Sequence, residues 1–154
     1  MRPAARNDTS PYLDSGAFVK LYIVERGSEQ VQAAVREVPR LSLNFLQETE
    51  IRTAILAAAG RNVIKKDAAE NALANLDEDL RTDRVAARSS DWNRTWLRSI
   101  EMSSRFTRAI LCRTLDILHV ALAEQEKAQI MITGDQRQAE LCRRIGIEVV
   151  FIQP

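Results

Sequence analysis

The chain contains few of the residues on which several common enzyme classes depend. Its 154 residues include one histidine, two cysteines and five glycines. One histidine with Cys112 and Cys142 is too small a set for the usual zinc sites. A single histidine also argues against a Ser-His-Asp hydrolase, and the five glycines form no phosphate-binding loop of the P-loop kind. If this protein catalyses a reaction, we therefore expect carboxylates to be its catalytic groups.

Long apolar runs are also missing from the sequence. No run approaches the roughly 20 residues that a membrane-spanning helix needs, so we expect no membrane partner. The first residues, MRPAARNDTSP, are basic but lack the apolar stretch of a secretory signal. We expect residues 1–10 to form a flexible tail, residues 11–154 to form one domain, and the protein to be cytoplasmic. Both cysteines are then expected to be buried and unpaired.

Charge is balanced overall but uneven in kind. The formal net charge is +1, yet arginine outnumbers lysine 18 to 4, and eight arginines lie between Arg81 and Arg113. The guanidinium group suits phosphate recognition, so this stretch is a candidate RNA contact. The alternative is that these arginines cover solvated helix faces.

Short apolar segments alternate with longer amphipathic ones, which predicts strands alternating with helices. The predicted strands are 12–13, 41–43, 130–133 and 149–152. The predicted helices are 17–22, 28–37 (with Ser28 as cap), 45–59 (with Gly60 as stop), 65–82, 91–106, 115–127 and 136–144 (ended by Gly146). Continuous apolar strands between helices favour an α/β fold of three layers, α/β/α, with a short central parallel sheet.

Three aspartates occupy positions that suggest a shared site. Asp14 and Asp135 each follow a predicted strand, and the carboxyl ends of parallel strands meet at one edge of a sheet, where ligands bind. Asp116 lies near the start of a helix that is apolar on nearly all sides. A buried lone carboxylate is costly unless it is paired or binds a metal. The alternatives are that each aspartate caps a helix or, for Asp116, pairs with Arg113.

The helix that follows Leu43 offers a fourth acid. Glu48 and Glu50 lie at opposite edges of its apolar face, and periodicity does not choose between them. Several carboxylates at one place repel each other unless a divalent cation neutralises them. Mg²⁺ prefers such oxygen ligands and keeps several waters, which suits phosphodiester hydrolysis.

Four segments, in this order, resemble the PIN-domain family, and specifically the VapC-type toxins of prokaryotic toxin–antitoxin pairs. They are YLDSGAFVKLY from Tyr12, EIRTA from Glu50, RTLDILHVALA from Arg113, and ITGDQRQA from Ile132 with GIEVV from Gly146. The resemblance covers about residues 11–154 and selects Glu50 over Glu48. It departs at Gly16, where the family usually has a second hydroxyl residue.

The resemblance implies an endoribonuclease that uses Mg²⁺, with Mn²⁺ as a substitute, and is neutralised by an antitoxin. Asp14, Asp116 and Asp135 would bind the metal, directly or through water. Glu50 would complete the catalytic site or hold a second metal ion and orient the attacking water. It further implies orienting hydrogen bonds from Ser15 and Thr133, RNA contacts from Arg113 and Arg137, and a homodimer. An amphipathic antitoxin helix would cover the site. The alternatives are a PIN-fold binding or regulatory module without hydrolysis, and a nuclease that is not a toxin.

Three further residues have two interpretations each. His119 lies three residues after Asp116 on the same side of its helix, so it makes a structural hydrogen bond or takes part in the site. Trp92 and Trp96 are four residues apart and either pack in the core or stack on RNA bases.

Overall fold

A computed structural model describes residues 10–153, so the predicted tail lies outside the described residues except for Ser10. Strands and helices alternate along these residues. The strands are β1 (Tyr12–Leu13), β2 (Leu41–Asn44), β3 (Val85–Arg88), β4 (Ile130–Thr133) and β5 (Glu148–Phe151). The helices are α1 (Ser15–Val19), α2 (Ser28–Val35), α3 (Phe45–Gly60), α4 (Lys66–Arg81), α5 (Trp92–Ile110), α6 (Thr114–Gln125) and α7 (Gln136–Ile145).

Helices cover both faces of the parallel strands, which confirms the predicted three-layer α/β/α fold. Side chains alternate along the strands, so Leu13 and Ile132 face one apolar cluster while Tyr12 and Met131 face the other. The first cluster packs against α1 to α4, and the second packs against α5 to α7. The carboxyl ends of β1 and β4 are thereby held between two cores.

The strands form two short parallel sheets within the described residues, whereas one sheet was predicted. One sheet has the order β1-β4-β5, and the other pairs β2 with β3. The Leu13 carbonyl points away from β4 and accepts a hydrogen bond from Gln47 Nε2 at 2.6 Å. A side chain therefore satisfies the backbone of β1 at the edge where a further strand would otherwise pair.

Two strands differ from their predicted form. β3 was not predicted, because its sequence VAAR has one β-branched residue followed by two alanines, which are depleted in strands, yet it pairs with β2 along its whole length. β5 begins at Glu148 and is partly exposed, so it is an edge strand and not one buried on both faces. No helix of residues 10–153 is both long and apolar enough to cross a membrane.

Helix ends agree with the predictions only in part. Gly146 follows α7 with φ +86°, as predicted for a C-terminal stop, but α3 includes Gly60 and the left-handed residue after it is Asn62. Gly27, with φ +89°, occupies the cap position of α2 that was assigned to Ser28. Cys112 and Cys142 are buried and unpaired, as predicted.

Candidate functional site

An open cleft of about 1260 Å³ lies at the carboxyl ends of β1 and β4, where α1, α6 and α7 begin. The four acids singled out in the sequence all line it: Asp14, Glu50, Asp116 and Asp135. They come from four separate segments of the chain, so the fold alone brings them to one place. Ser15, Arg113, His119 and Gln138 line the same cleft.

Asp14 is buried at the end of β1 and caps α1. Its Oδ1 accepts a hydrogen bond from the backbone N–H of Ala17 at 2.6 Å, and its Oδ2 accepts one from the Thr133 hydroxyl. Burial raises the pKa of Asp14 above its ordinary value, although these two hydrogen bonds oppose the rise and nearby Asp135 adds to it. A cation near Asp14 would therefore favour its charged form.

Asp135 caps α7 directly after β4. Its Oδ1 accepts hydrogen bonds from the backbone N–H groups of Arg137 at 2.7 Å and Gln138 at 3.2 Å. Its own backbone N–H donates to the Thr133 hydroxyl at 2.9 Å, so Thr133 links Asp14 to Asp135. This is the orienting position that the resemblance implied for Thr133.

Asp116 is buried in the first turn of α6. Its Oδ2 accepts a hydrogen bond from the backbone N–H of Arg113 at 2.8 Å, and the described residues show no ion pair between the two side chains. Like Asp14 and Asp135, it lies at a helix N-terminus, where the helix dipole favours negative charge. All three aspartates therefore lie at helix N-termini, as the helix-capping alternative expected. Capping does not explain why three such helix ends meet at one cleft.

Glu50, rather than Glu48, faces the cleft. Glu50 Oε2 accepts hydrogen bonds from Ser15 Oγ at 2.6 Å and from His119 Nε2 at 2.6 Å. Glu48 instead forms an ion pair with Arg52 at 2.9 Å outside the cleft. Burial raises the pKa of Glu50, but the hydrogen bonds from His119 and Ser15 outweigh it, so the pKa lies below its ordinary value. Glu50 is thus held as a carboxylate.

A chain of hydrogen bonds runs from the cap of α3 through Tyr12 to His119 and Glu50. Asn44 caps α3 with Oδ1, which accepts from the backbone N–H of Gln47 at 3.0 Å, so its Nδ2 faces Tyr12. The Tyr12 hydroxyl accepts from Asn44 Nδ2 at 3.2 Å and lies 2.9 Å from His119 Nδ1. The Glu50 carboxylate has no proton to donate, so His119 Nε2 carries the proton of the contact with Glu50. In the neutral ring Nδ1 is then the acceptor, and the Tyr12 hydroxyl donates its proton to it. His119 therefore makes a structural hydrogen bond and also contacts a residue of the site.

The arginines divide into two groups. Arg113 is exposed at the rim of the cleft, and the Arg137 guanidinium lies 3.9 Å from Asp135. Most other arginines of the 81–113 stretch lie away from the cleft, and three of them form ion pairs with acids: Arg81, Arg84 and Arg98. The solvated-face alternative therefore fits these three.

The tryptophans differ from each other. Trp92 packs against the second core cluster, whereas Trp96 is 47% exposed on α5. Neither lines the cleft. Core packing therefore describes Trp92 and leaves Trp96 available on the surface.

The donor chemistry of the cleft suits a hard divalent cation, but the acids do not form a closed cage. Among residues 10–153, no three His, Cys, Asp or Glu side chains converge closely enough to hold a metal by themselves. Mg²⁺ does not require such a cage, because it keeps several waters and is commonly bound through one or two carboxylates. The oxygen donors of Asp14, Asp116 and Asp135 are of the chemical kind that Mg²⁺ binds, directly or through water.

No protein-family model matches the chain, and no curated protein matches it significantly in sequence. The resemblance to PIN-domain proteins therefore rests on the four sequence motifs alone.

Proposed function

We propose that this chain is a metal-dependent endoribonuclease of the PIN type, the toxin of a toxin–antitoxin pair. One observation supports this most strongly: four acids from four segments, in the order of the family's motifs, line a single cleft at the ends of β1 and β4. The raised pKa of Asp14 adds to it, because a buried carboxylate in this state gains from a cation.

Asp14, Asp116 and Asp135 would hold Mg²⁺, with Mn²⁺ as a substitute, directly or through water. When bound, the ion would lower the pKa of a water and stabilise negative charge on the phosphate. The protein's own contribution is orientation. Thr133 fixes Asp14 and Asp135 relative to each other, and helix N-terminal N–H groups fix all three carboxylates.

Glu50 would orient the attacking water and accept its proton. Ser15 and His119 both donate to Oε2, and no described residue bonds to Oε1, which leaves that oxygen for the water. Arg113, which lines the cleft, and Arg137, whose guanidinium lies 3.9 Å from Asp135, would contact RNA phosphates. The water oxygen forms a new bond to phosphorus as the bond to the leaving ribose oxygen breaks.

The antitoxin would occupy the apolar end of the same cleft. Beyond the acids, its walls are formed by small and apolar side chains of α1, the segment after α1, and α3, among them Val19, Ile23, Ala54 and Ala57. An amphipathic helix fits such a groove and would block RNA from the acids. We further propose that the toxin is a homodimer and acts in the cytoplasm, where its RNA substrates are.

Induced expression in a bacterial host tests this function. The wild-type chain should stop growth and degrade a specific RNA, whereas Asp14→Asn, Asp116→Asn and Glu50→Gln should do neither. Glu48→Gln is the matched control, because Glu48 lies on the same helix but outside the cleft. It should be as toxic as the wild type. Normal growth and intact RNA with the wild-type chain would contradict the proposal that the chain is a toxin. Toxicity in all variants would contradict the proposal that the acids are catalytic.

A further inference from the structure

Gln138 carries a buried oxygen atom that has no partner. Among residues 10–153, Gln138 Oε1 and Ser90 Oγ are the two buried side-chain polar atoms without a hydrogen bond. Gln138 is 6% exposed, lies in the first turn of α7 and lines the acidic cleft. A buried amide oxygen without a partner costs free energy, so such an atom indicates a water, an ion or a ligand at its side.

The rest of Gln138 is bonded to two of the acids. Its backbone N–H donates to Asp135 Oδ1 at 3.2 Å, and its side-chain Nε2 reaches Asp116 Oδ1 at 3.5 Å. The opposite amide orientation would place Oε1 against the Asp116 carboxylate oxygen, where neither atom has a proton to share. Because Oε1 and Nε2 share one carbon atom, Oε1 lies close to the Asp116 carboxylate that Nε2 reaches.

We propose that Gln138 is a further oxygen donor of the cation site: Oε1 faces the cation or one of its waters, while Nε2 positions Asp116. This rests on the proposed cation site. An amide carbonyl is a suitable ligand for Mg²⁺ and Mn²⁺. It also adds no negative charge beside Asp14, Asp116 and Asp135. The unsatisfied oxygen is then the consequence of a site built to be completed by an ion.

Calorimetric titration of the full-length protein with Mn²⁺ tests this role, using Gln138→Leu and Gln138→Glu. The leucine variant removes both amide atoms and should weaken Mn²⁺ binding about tenfold or more, the usual cost of losing such a partner. The glutamate variant keeps the oxygen and adds a charge, so it should bind Mn²⁺ at least as tightly as the wild type. Gln136→Leu and Gln136→Glu are the matched controls, because Gln136 is exposed in the same helical turn and does not line the cleft.

Thermal melting with and without Mn²⁺ separates this role from a structural one. Without metal, Gln138→Glu should melt below the wild type, because it places a carboxylate beside Asp116. With saturating Mn²⁺ this order should reverse or the gap should close. A structural role predicts a lower melting temperature under both conditions.

The outcomes distinguish this inference from the ribonuclease itself. Tight Mn²⁺ binding that Asp116→Asn removes and Gln138→Leu leaves unchanged would overturn the role of Gln138 alone. Weakened binding in Gln138→Leu without any RNA cleavage by the wild type would support Gln138 and overturn the nuclease. No Mn²⁺ binding by the wild type would overturn both.

Discussion

Replacing Tyr12 with phenylalanine removes one oxygen atom from the hydrogen-bonded chain behind Glu50. The ring remains, so no cavity forms, but two buried groups lose their partner: His119 Nδ1 and one N–H of Asn44. Each buried polar group left unsatisfied costs about 1–3 kcal/mol. We therefore expect Tyr12→Phe to lower the free energy of unfolding by about 2–6 kcal/mol, a large share of the roughly 5–15 kcal/mol of a typical domain.

Urea unfolding followed by circular dichroism measures this loss. Tyr22→Phe is the matched control, because its hydroxyl donates to Asp79 Oδ2 at 3.0 Å at a partly exposed position where water can replace it. It should cost about 1 kcal/mol or less. Equal losses in the two variants would refute the claim that the Tyr12 hydroxyl satisfies two buried polar groups.

Nuclear magnetic resonance tests the same chain at its other end. His119 is the one histidine of the protein, so its ring nitrogens give unambiguous signals. The wild type should show the proton on Nε2, and Tyr12→Phe should weaken that preference because Nδ1 loses its donor. A wild-type ring with its proton on Nδ1 would contradict the assigned direction.

Two further predictions concern stability. Without metal at pH 7, Asp14→Asn should melt at or above the wild-type temperature, because the raised pKa of Asp14 means that ionisation is penalised in the fold. That penalty is complete above the raised pKa and absent below the ordinary value of 3.8. The difference in melting temperature between the variant and the wild type should therefore shrink as the pH is lowered towards 4. A difference that does not change with pH would contradict this prediction. Gly60→Ala should stabilise the protein by about 0.5–1 kcal/mol, because Gly60 is helical and a Cβ meets nothing within 4 Å. Gly146→Ala should destabilise the protein by more than about 1 kcal/mol, because φ is +86° at Gly146. Equal changes in the free energy of unfolding of the two glycine variants, measured by chemical denaturation, would contradict both predictions.

The parts of the fold that could be predicted are those with a strong local pattern. Strand β4 is a continuous apolar segment and helix α6 is apolar on nearly all sides, and both appear within two residues of their predicted bounds. Strand β3 has no such pattern, and its pairing with β2 depends on a contact between distant segments. The division into two sheets depends in the same way on Gln47, whose side chain bonds to the edge of β1.

The residues of the candidate site also differ in how far a local sequence pattern could predict them. Asp14 and Asp135 could be placed because each follows a strand, and Asp116 because its helix is apolar on nearly all sides. In the fold, Glu48 pairs with Arg52, whereas Glu50 bonds to His119 in the cleft. The periodicity of the helix could not predict either contact. Gln138 was not predicted to belong to the site. A glutamine three residues after a capping aspartate is not distinctive in a sequence, and its unsatisfied oxygen is visible only in the fold.

Cleavage of RNA by the purified protein is the most direct test of the central claim. The wild type with Mg²⁺ should cleave a single-stranded RNA at defined positions and should lose this activity when the metal is chelated. Asp116→Asn and Glu50→Gln should be inactive while remaining folded, and Glu48→Gln should cleave as the wild type does. Cleavage that persists in Asp116→Asn, or that needs no divalent metal, would contradict the shared acidic site.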